Sequence, residues 1–315
     1  MQWDQYNDRK FPHNHLLSLQ NYACDDIMQI FAMALELKEK QRARISHPIC
    51  HDKSIAMIFT KPSARTRVSF DVGFAQLGGH TLYLTDAEIG LGTRESVPDV
   101  ARVLSRMVDG IMIRTFAHSD VAGLAKHGSV PVINGLSDDF HPCQALADFL
   151  TFYEHKGSFT GKKVAYLGDG NNVANSLLLC GPKLGVSLAI ACPAGYEPRA
   201  DIVQAAKASA KDNATIEIVH DPKDALRGAD AVYTDVWTSM GQEAEKQARL
   251  QAFAGYTVTS ELMKHAKDDA IFMHCLPAHR GEEVVDDVID GPNSVVFDEA
   301  ENRLHAQKGV MALLI

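Results

Sequence analysis

Short apolar runs rich in β-branched residues recur along this chain, and most break off into a polar turn that leads into a helix-like segment. Ser54–Phe59 (SIAMIF) is the first strong run; 81–84, Gly110–Arg114 (GIMIR) and 130–133 follow. Helical patterns over about 64–77, 97–107, 119–126 and 142–155 accompany them. The second half repeats the theme, with strands read at Lys163–Leu167 (KVAYL), 187–191, 215–219, 231–234, 271–273 and 295–297. Helical patterns over 175–184 and 200–210 lie among these, and a last helix starts near Glu299. Wholly apolar strands alternating with helices predict parallel sheets covered on both faces. The expected fold class is therefore α/β, two doubly wound parallel-sheet domains joined by long helices. The first domain is expected over 1–150 and the second over 151–298, with helix 299–315 packing back on the first and Gly157 and Gly161 marking the turn after the joining helix.

Ligands of such sheets bind beyond the carboxyl ends of the strands, so the residues there carry the functional argument. Lys61-Pro62-Ser63-Ala64-Arg65-Thr66-Arg67 follows the first run. Ser63 suits a helix N-cap, and a capped helix start with hydroxyls and a forked guanidinium suits an anion such as phosphate. On spacing alone, a capped helix with solvated arginines fits equally well. Arg114 ends an apolar strand, where an anion or bulk water must meet it. His141-Pro142-Cys143-Gln144 opens a helix with His141 and Gln144 three residues apart, which suits hydrogen bonds to a carbonyl group as well as plain capping. Gly168-Asp169-Gly170-Asn171-Asn172 stands where a dinucleotide fingerprint would, but lacks its third glycine; its amides suit an amino acid better than a pyrophosphate. Asp235 follows another strand and can hold an ammonium, with Ser239-Met240-Gly241 in the loop beyond it. Cys275 neighbours His274, but adjacent strand residues point to opposite faces, which disfavours a thiol–imidazole pair. His141, Cys143, His274, Cys275 and His279 have no zinc-ligand spacing. Arg303 opens the last helix, where it can reach an anion or pair with Glu299 and Glu301.

The net charge of −9 argues against nucleic acid or an anionic membrane as partner, and no apolar run reaches membrane-spanning length. The start of the chain, residues 1–8, is polar and acidic, unlike a signal peptide. Six scattered cysteines without a C-x-x-C pair fit free thiols, so a cytoplasmic location is expected. No metal or organic cofactor is called for.

In this order, the segments resemble the aspartate/ornithine carbamoyltransferase family, and its ornithine branch in particular, over nearly the whole chain. The stretch from Ser63 to Arg67 is similar to the family's S-T-R-T-R phosphate motif, and His141-Pro142-Cys143-Gln144-Ala145-Leu146-Ala147-Asp148 to its H-P-x-Q-x-L-A-D segment. Asp235 with Ser239-Met240-Gly241, and His274-Cys275-Leu276-Pro277, mark the ornithine branch. The resemblance implies carbamoyl phosphate and L-ornithine as substrates, and a homotrimer or a multiple of it. It implies that Ser63, Ala64 (through its backbone), Arg65, Thr66, Arg114, His141, Gln144 and Arg303 bind carbamoyl phosphate, with Cys275 and Leu276 lining the junction between the substrates. It implies that Asn172, Asp235, Ser239 and Met240 bind ornithine. Arg65, Arg114, His141, Asp235 and Cys275 would carry the catalysis. Two departures stand out: Ala64 where the family often has Thr, and Gly90 where many members place a Gln. Other acceptors, namely putrescine, N-acetylornithine or aspartate, and a non-catalytic binding paralogue remain the alternatives.

Overall fold

The computed structural model describes residues 3–6 and 9–315; the reading of the polar start as no signal peptide falls partly outside them, at Met1, Gln2, Asn7 and Asp8. The chain forms two compact units, Met1–Ala147 with Glu301–Ile315, and Asp148–Ala300.

In the first unit, β1 (Ser54–Phe59), β2 (His80–Thr85), β3 (Gly110–Arg114) and β4 (Val132–Leu136) form one parallel sheet ordered β2-β1-β3-β4. The chain moves from β1 to one side and then returns to β3 on the other, so the carboxyl ends of β1 and β3 flank a topological switch point. β1 and β3 are buried on both faces, as their unbroken apolar runs require. Ala56, Ile58, Ile111 and Ile113 pack with Val121 and Leu124 of the following helix. Each buried isoleucine contributes about 1.5–3 kcal/mol of transfer free energy. The helix Cys24–Arg42, which strand-and-turn reading leaves unassigned, packs its Ala34 against Gly309 of the last helix; a Cβ at Gly309 would come within 2.7 Å of the Ile30 carbonyl.

A buried polar cluster also lies in this unit. Lys38 Nζ donates to Asn302 Oδ1 at 2.7 Å, and Lys308 Nζ contacts His47 Nε2 at 2.8 Å and Gln76 Oε1 at 2.9 Å. Burial, helped by the charges of Lys38 and Lys308, pulls His305 down to about 4, with Glu301 opposing. The unfolded chain takes up this proton near pH 6.5 and the folded one only near 4, so stability is lost as pH falls through that window. The difference in unfolding free energy between the parent and His305→Gln should therefore change by on the order of 1–3 kcal/mol between pH 7 and 4.5. A pH-independent difference in denaturant titrations would refute it.

In the second unit, β5 (Lys163–Leu167), β6 (Ser187–Ala191), β7 (Ile216–Val219), β8 (Ala231–Thr234) and β9 (Ile271–His274) form a parallel sheet ordered β7-β6-β5-β8-β9. Its switch point lies between β5 and β8. Ala165, Leu167, Val232 and Phe272 join Trp237, Phe253 and Val284 in its core.

The structure corrects two element readings. Residues 295–297 are not a strand. Ser294 alone bridges to Phe272, and the helix Val296–Leu314 then begins, leaving Phe297 70% exposed. Two valines and a phenylalanine suit a strand, but Asp298 and Glu299 in the first turn suit a helix start, and tertiary packing decides for the helix. The helix read over 175–184 starts earlier, at Asn172, because Asn171 caps it, and it ends at Cys180 before a 3-10 turn containing Pro182.

Candidate active site

The turn after β1 forms around Ser63. Its backbone is extended (φ −164°), and its Oγ accepts the Thr66 N–H at 3.3 Å, capping the helix Ala64–Gln76. That leaves the first backbone N–H groups of the helix, including that of Ala64, at an anion-attracting end. Thr66 is fully buried; Arg65 is exposed and makes no hydrogen bond or ion pair among the described residues. Arg303, 3% exposed, donates to Thr66 Oγ1 at 3.3 Å and to Gln144 Oε1 at 2.7 Å. With its amide oriented to satisfy both ends, Gln307 accepts from Arg303 Nε and Nη2 at 3.1 Å and donates to Ser69 Oγ at 2.6 Å. The neutral side chains of Thr66, Gln144 and Gln307 thus help to hold a buried guanidinium in place.

Arg114 ends β3 and His141 precedes Pro142, the first residue of the helix Pro142–Lys156; both are buried. Burial, and then the charges of Arg303, Arg114, Arg65 and Lys61, hold His141 well below the usual imidazole range. A neutral imidazole among four cations cannot add positive charge, but it can hydrogen-bond a carbonyl oxygen. Sequence reading gave Lys61 no role, yet it is 5% exposed, 3.4 Å from Asp138 and 4.7 Å from the Phe116 ring centroid. A lysine directly after a buried strand was the available signal. The segment 86–92 is partly helical: Gly90 ends the helix Asp86–Ile89 in the left-handed region (φ 56°), where a Cβ would lie 2.7 Å from that of Arg94.

In the second unit, Asp235 follows β8 and is 5% exposed. Asn171 Nδ2 donates to its Oδ2 at 2.8 Å, while the Val236 N–H (2.8 Å) and the Cys275 thiol (3.0 Å) donate to Oδ1. The structure therefore ties Asn171, a residue the sequence reading gave no separate role, to Asp235. Asn171 Oδ1 meanwhile accepts from Val173 N and Ala174 N at the helix start; Asn172 is the first helical residue. Gly170 is required by close approach, since a Cβ there would lie 2.2 Å from Pro198 N. That need, not a pyrophosphate, explains the glycine. Arg249 links the loops after β5 and β8, donating to Asp169 Oδ2 at 2.7 Å and to the Trp237 carbonyl at 3.0 Å. Ser239 and Met240 lie further along the second loop, with Met240 46% exposed.

Burial, and then the Asp235 charge, push the Cys275 thiol well above its ordinary value. It is a hydrogen-bond donor rather than a thiolate, which argues against a nucleophilic role. Leu276 follows with φ 57°, a left-handed backbone that costs a leucine about 1–2 kcal/mol. Possible metal ligands gather at Asp235, His274 and Cys275 and at His279, Glu282 and Glu283. At the first, Asp235 Oδ1 and both His274 nitrogens already take part in the bonds of the protein itself.

Both switch points thus carry polar sets, one cationic with a neutral histidine and one built around a buried carboxylate. A model of the carbamoyl-P binding domain of aspartate/ornithine carbamoyltransferases matches residues 14–154, and one of the Asp/Orn binding domain matches 160–314. The chain belongs to the aspartate/ornithine carbamoyltransferase family. Among relatives of this carbamoyltransferase, the ornithine carbamoyltransferase of Pyrococcus abyssi is 56% identical over 301 residues, covering 95% of each chain. The anabolic ornithine carbamoyltransferase of Pyrococcus furiosus is 54% identical over 301 residues, covering 95% of this chain and 96% of its own. The solved ornithine carbamoyltransferase of Pyrococcus furiosus superposes on it with a TM-score of 0.94 at 53% identity, covering 97% of this chain and 98% of the other. The two parallel-sheet units are those of a carbamoyltransferase. No helix of the described residues is long and apolar enough to cross a membrane.

Proposed function

We propose that this carbamoyltransferase moves the carbamoyl group of carbamoyl phosphate onto the side-chain amine of L-ornithine, giving L-citrulline and phosphate, as a step of arginine biosynthesis. The observation that carries the reading is the first unit's cation set around a neutral His141, the charge pattern that a carbamoyl phosphate dianion needs. The first unit serves as the carbamoyl-phosphate domain and the second as the ornithine domain.

The neutral amine attacks the carbamoyl carbon, the C–O bond to phosphorus breaks with its electron pair leaving on phosphate, and the nitrogen sheds a proton that the departing phosphate can take. Arg65, Ser63 and the N–H groups at the Ala64 end of the helix hold the phosphate, with Arg303 and Gln144 behind. Thr66, Arg114 and His141 stabilise the charge that builds on the carbonyl oxygen. Asp235 holds the α-ammonium of ornithine, with Asn172, Ser239 and Met240 as further contacts, and Cys275 and Leu276 line the reacting centre. A buried carboxylate favours an acceptor with a free α-amino group, which N-acetylornithine lacks. The attacking amine has an ordinary pKa of about 10.4, so kcat/KM for ornithine should rise about tenfold per pH unit from 7 to 9. A flat profile would remove direct attack by the free amine as the rate-determining chemistry.

The reading extends to a homotrimer or a multiple of it, acting in the cytoplasm. Val68 and Val72, one helical turn apart, are 59% and 42% exposed, and Leu82 on the edge strand β2 is 41% exposed. Apolar side chains left open in this way suit a second copy of the chain. The deciding experiment is a citrulline assay with carbamoyl phosphate, run over a panel of ornithine, putrescine, N-acetylornithine and aspartate, with native mass measured alongside. Turnover confined to another acceptor, or tight carbamoyl-phosphate binding without turnover, would refute the assignment.

A further inference from the structure

The turn after β9 carries Cys275 and Leu276, and two fully buried side chains outside the chemistry above shape it: His274 and Glu283. His274 Nδ1 lies 2.8 Å from the backbone nitrogen of Leu276. That N–H needs a lone pair on Nδ1, so the ring proton sits on Nε2. Nε2 lies 3.2 Å from Glu283 Oε1 and donates to it. The same oxygen accepts the backbone N–H of His279 at 2.5 Å. A single carboxylate thereby sets the tautomer of His274 and pins the far side of the turn, while the ring draws in the N–H of Leu276.

The backbone of His274 is held separately, its N–H donating to Glu299 Oε2 at 3.0 Å. Burial, and then the neighbouring Asp148, push the Glu299 carboxyl well above its usual range. The left-handed Leu276 backbone persists only where its surroundings over-determine it, and the bond from His274 is one such restraint. Packing alone does not call for this arrangement. A buried carboxylate costs several kcal/mol of desolvation, and an apolar pair of similar volume would fill the space at least as stably. What an apolar pair could not do is fix the direction of the Leu276 N–H.

We propose that His274 and Glu283 are positioning residues for carbamoyl transfer, acting through the chain Glu283 carboxylate, His274 imidazole, Leu276 N–H to fix the backbone of Cys275 and Leu276. The inference rests on the reading that Cys275 and Leu276 line the reacting centre. Misplacing a reacting geometry by about 1 Å costs about 100-fold in rate. The test is steady-state citrulline formation by the full chain and by Glu283→Gln, His274→Leu and His274→Asn, with inhibition by inorganic phosphate and the thermal midpoint measured on each.

His274→Leu should lower kcat by about 100-fold. His274→Asn, whose side-chain oxygen can accept the Leu276 N–H where Nδ1 did, should recover about tenfold of that loss. Glu283→Gln, which keeps an acceptor but no charge, should fall by about tenfold. Inhibition by phosphate should stay within about twofold of the parent throughout, because its cradle lies in the first unit, on the turn after β1 with Gln144 and Arg303 behind it. Equal kcat for the Leu and Asn variants would overturn the proposal, and so would parent-like kcat in all three. Losses matched by phosphate inhibition or by the folded fraction would mark a merely structural pair and overturn it too. If His274→Leu does not fold, Glu283→Gln and His274→Asn decide on the same criteria. A parent chain that makes no citrulline would overturn the underlying reading, an outcome distinct from an active parent with unaffected variants.

Discussion

Arg65→Ala should lower kcat/KM for carbamoyl phosphate by about 10²–10³-fold or more while leaving the fold intact. The side chain is exposed and makes no hydrogen bond or ion pair among the described residues, so its removal should change stability by no more than about 0.5 kcal/mol. Its contribution is electrostatic: with Arg303, Arg114 and Lys61 it surrounds His141 with positive charge. Arg303→Ala would be a poorer test, because that side chain holds Thr66, Gln144 and Gln307 together in a buried network. Arg65→Lys should fall between parent and alanine, keeping the charge and losing the forked donor. The measurements are citrulline kinetics and a thermal midpoint on each variant. Near-parent turnover in Arg65→Ala would remove the phosphate clamp from the mechanism.

Asp235→Asn should raise KM for ornithine by about 100-fold and lower kcat, with inhibition by inorganic phosphate unchanged. Both carboxylate oxygens are occupied, one by Asn171 Nδ2 and the other by the Val236 N–H and the Cys275 thiol. An amide replaces one acceptor with a donor, so an N–H group must face another donor, and the charge that would hold the α-ammonium is gone. Ornithine kinetics beside phosphate inhibition separate the two substrates. An equal loss of both would contradict the assignment of Asp235 to the amino acid.

The alternation of apolar runs and helical patterns sufficed for two parallel-sheet α/β units, since a strand buried on both faces has no polar period to hide it. The polar residues after each run were also legible, because a charge directly beyond a buried strand is costly and conspicuous. Segment boundaries were less so. Residues 295–297 have strand propensity and become the start of a helix, because capping, exposure and packing outweigh a weak local preference. The bond from Asn171 to Asp235 was equally out of reach, since it joins loops 64 residues apart in sequence.

By itself, then, the sequence determined the kinds of chemistry at the strand ends: hydroxyls and guanidinium after β1, an arginine at the end of β3, a histidine after β4 and a carboxylate after β8. Only the tertiary structure decided their states. It buried His141 among four cations and so made it neutral, and it buried Cys275 and set it against Asp235 and so kept it a thiol. It also closed His274 and Glu283 on the Leu276 turn. The physical reason is that charge state and hydrogen-bond direction depend on desolvation and on neighbours distant in sequence, which only the folded chain brings together.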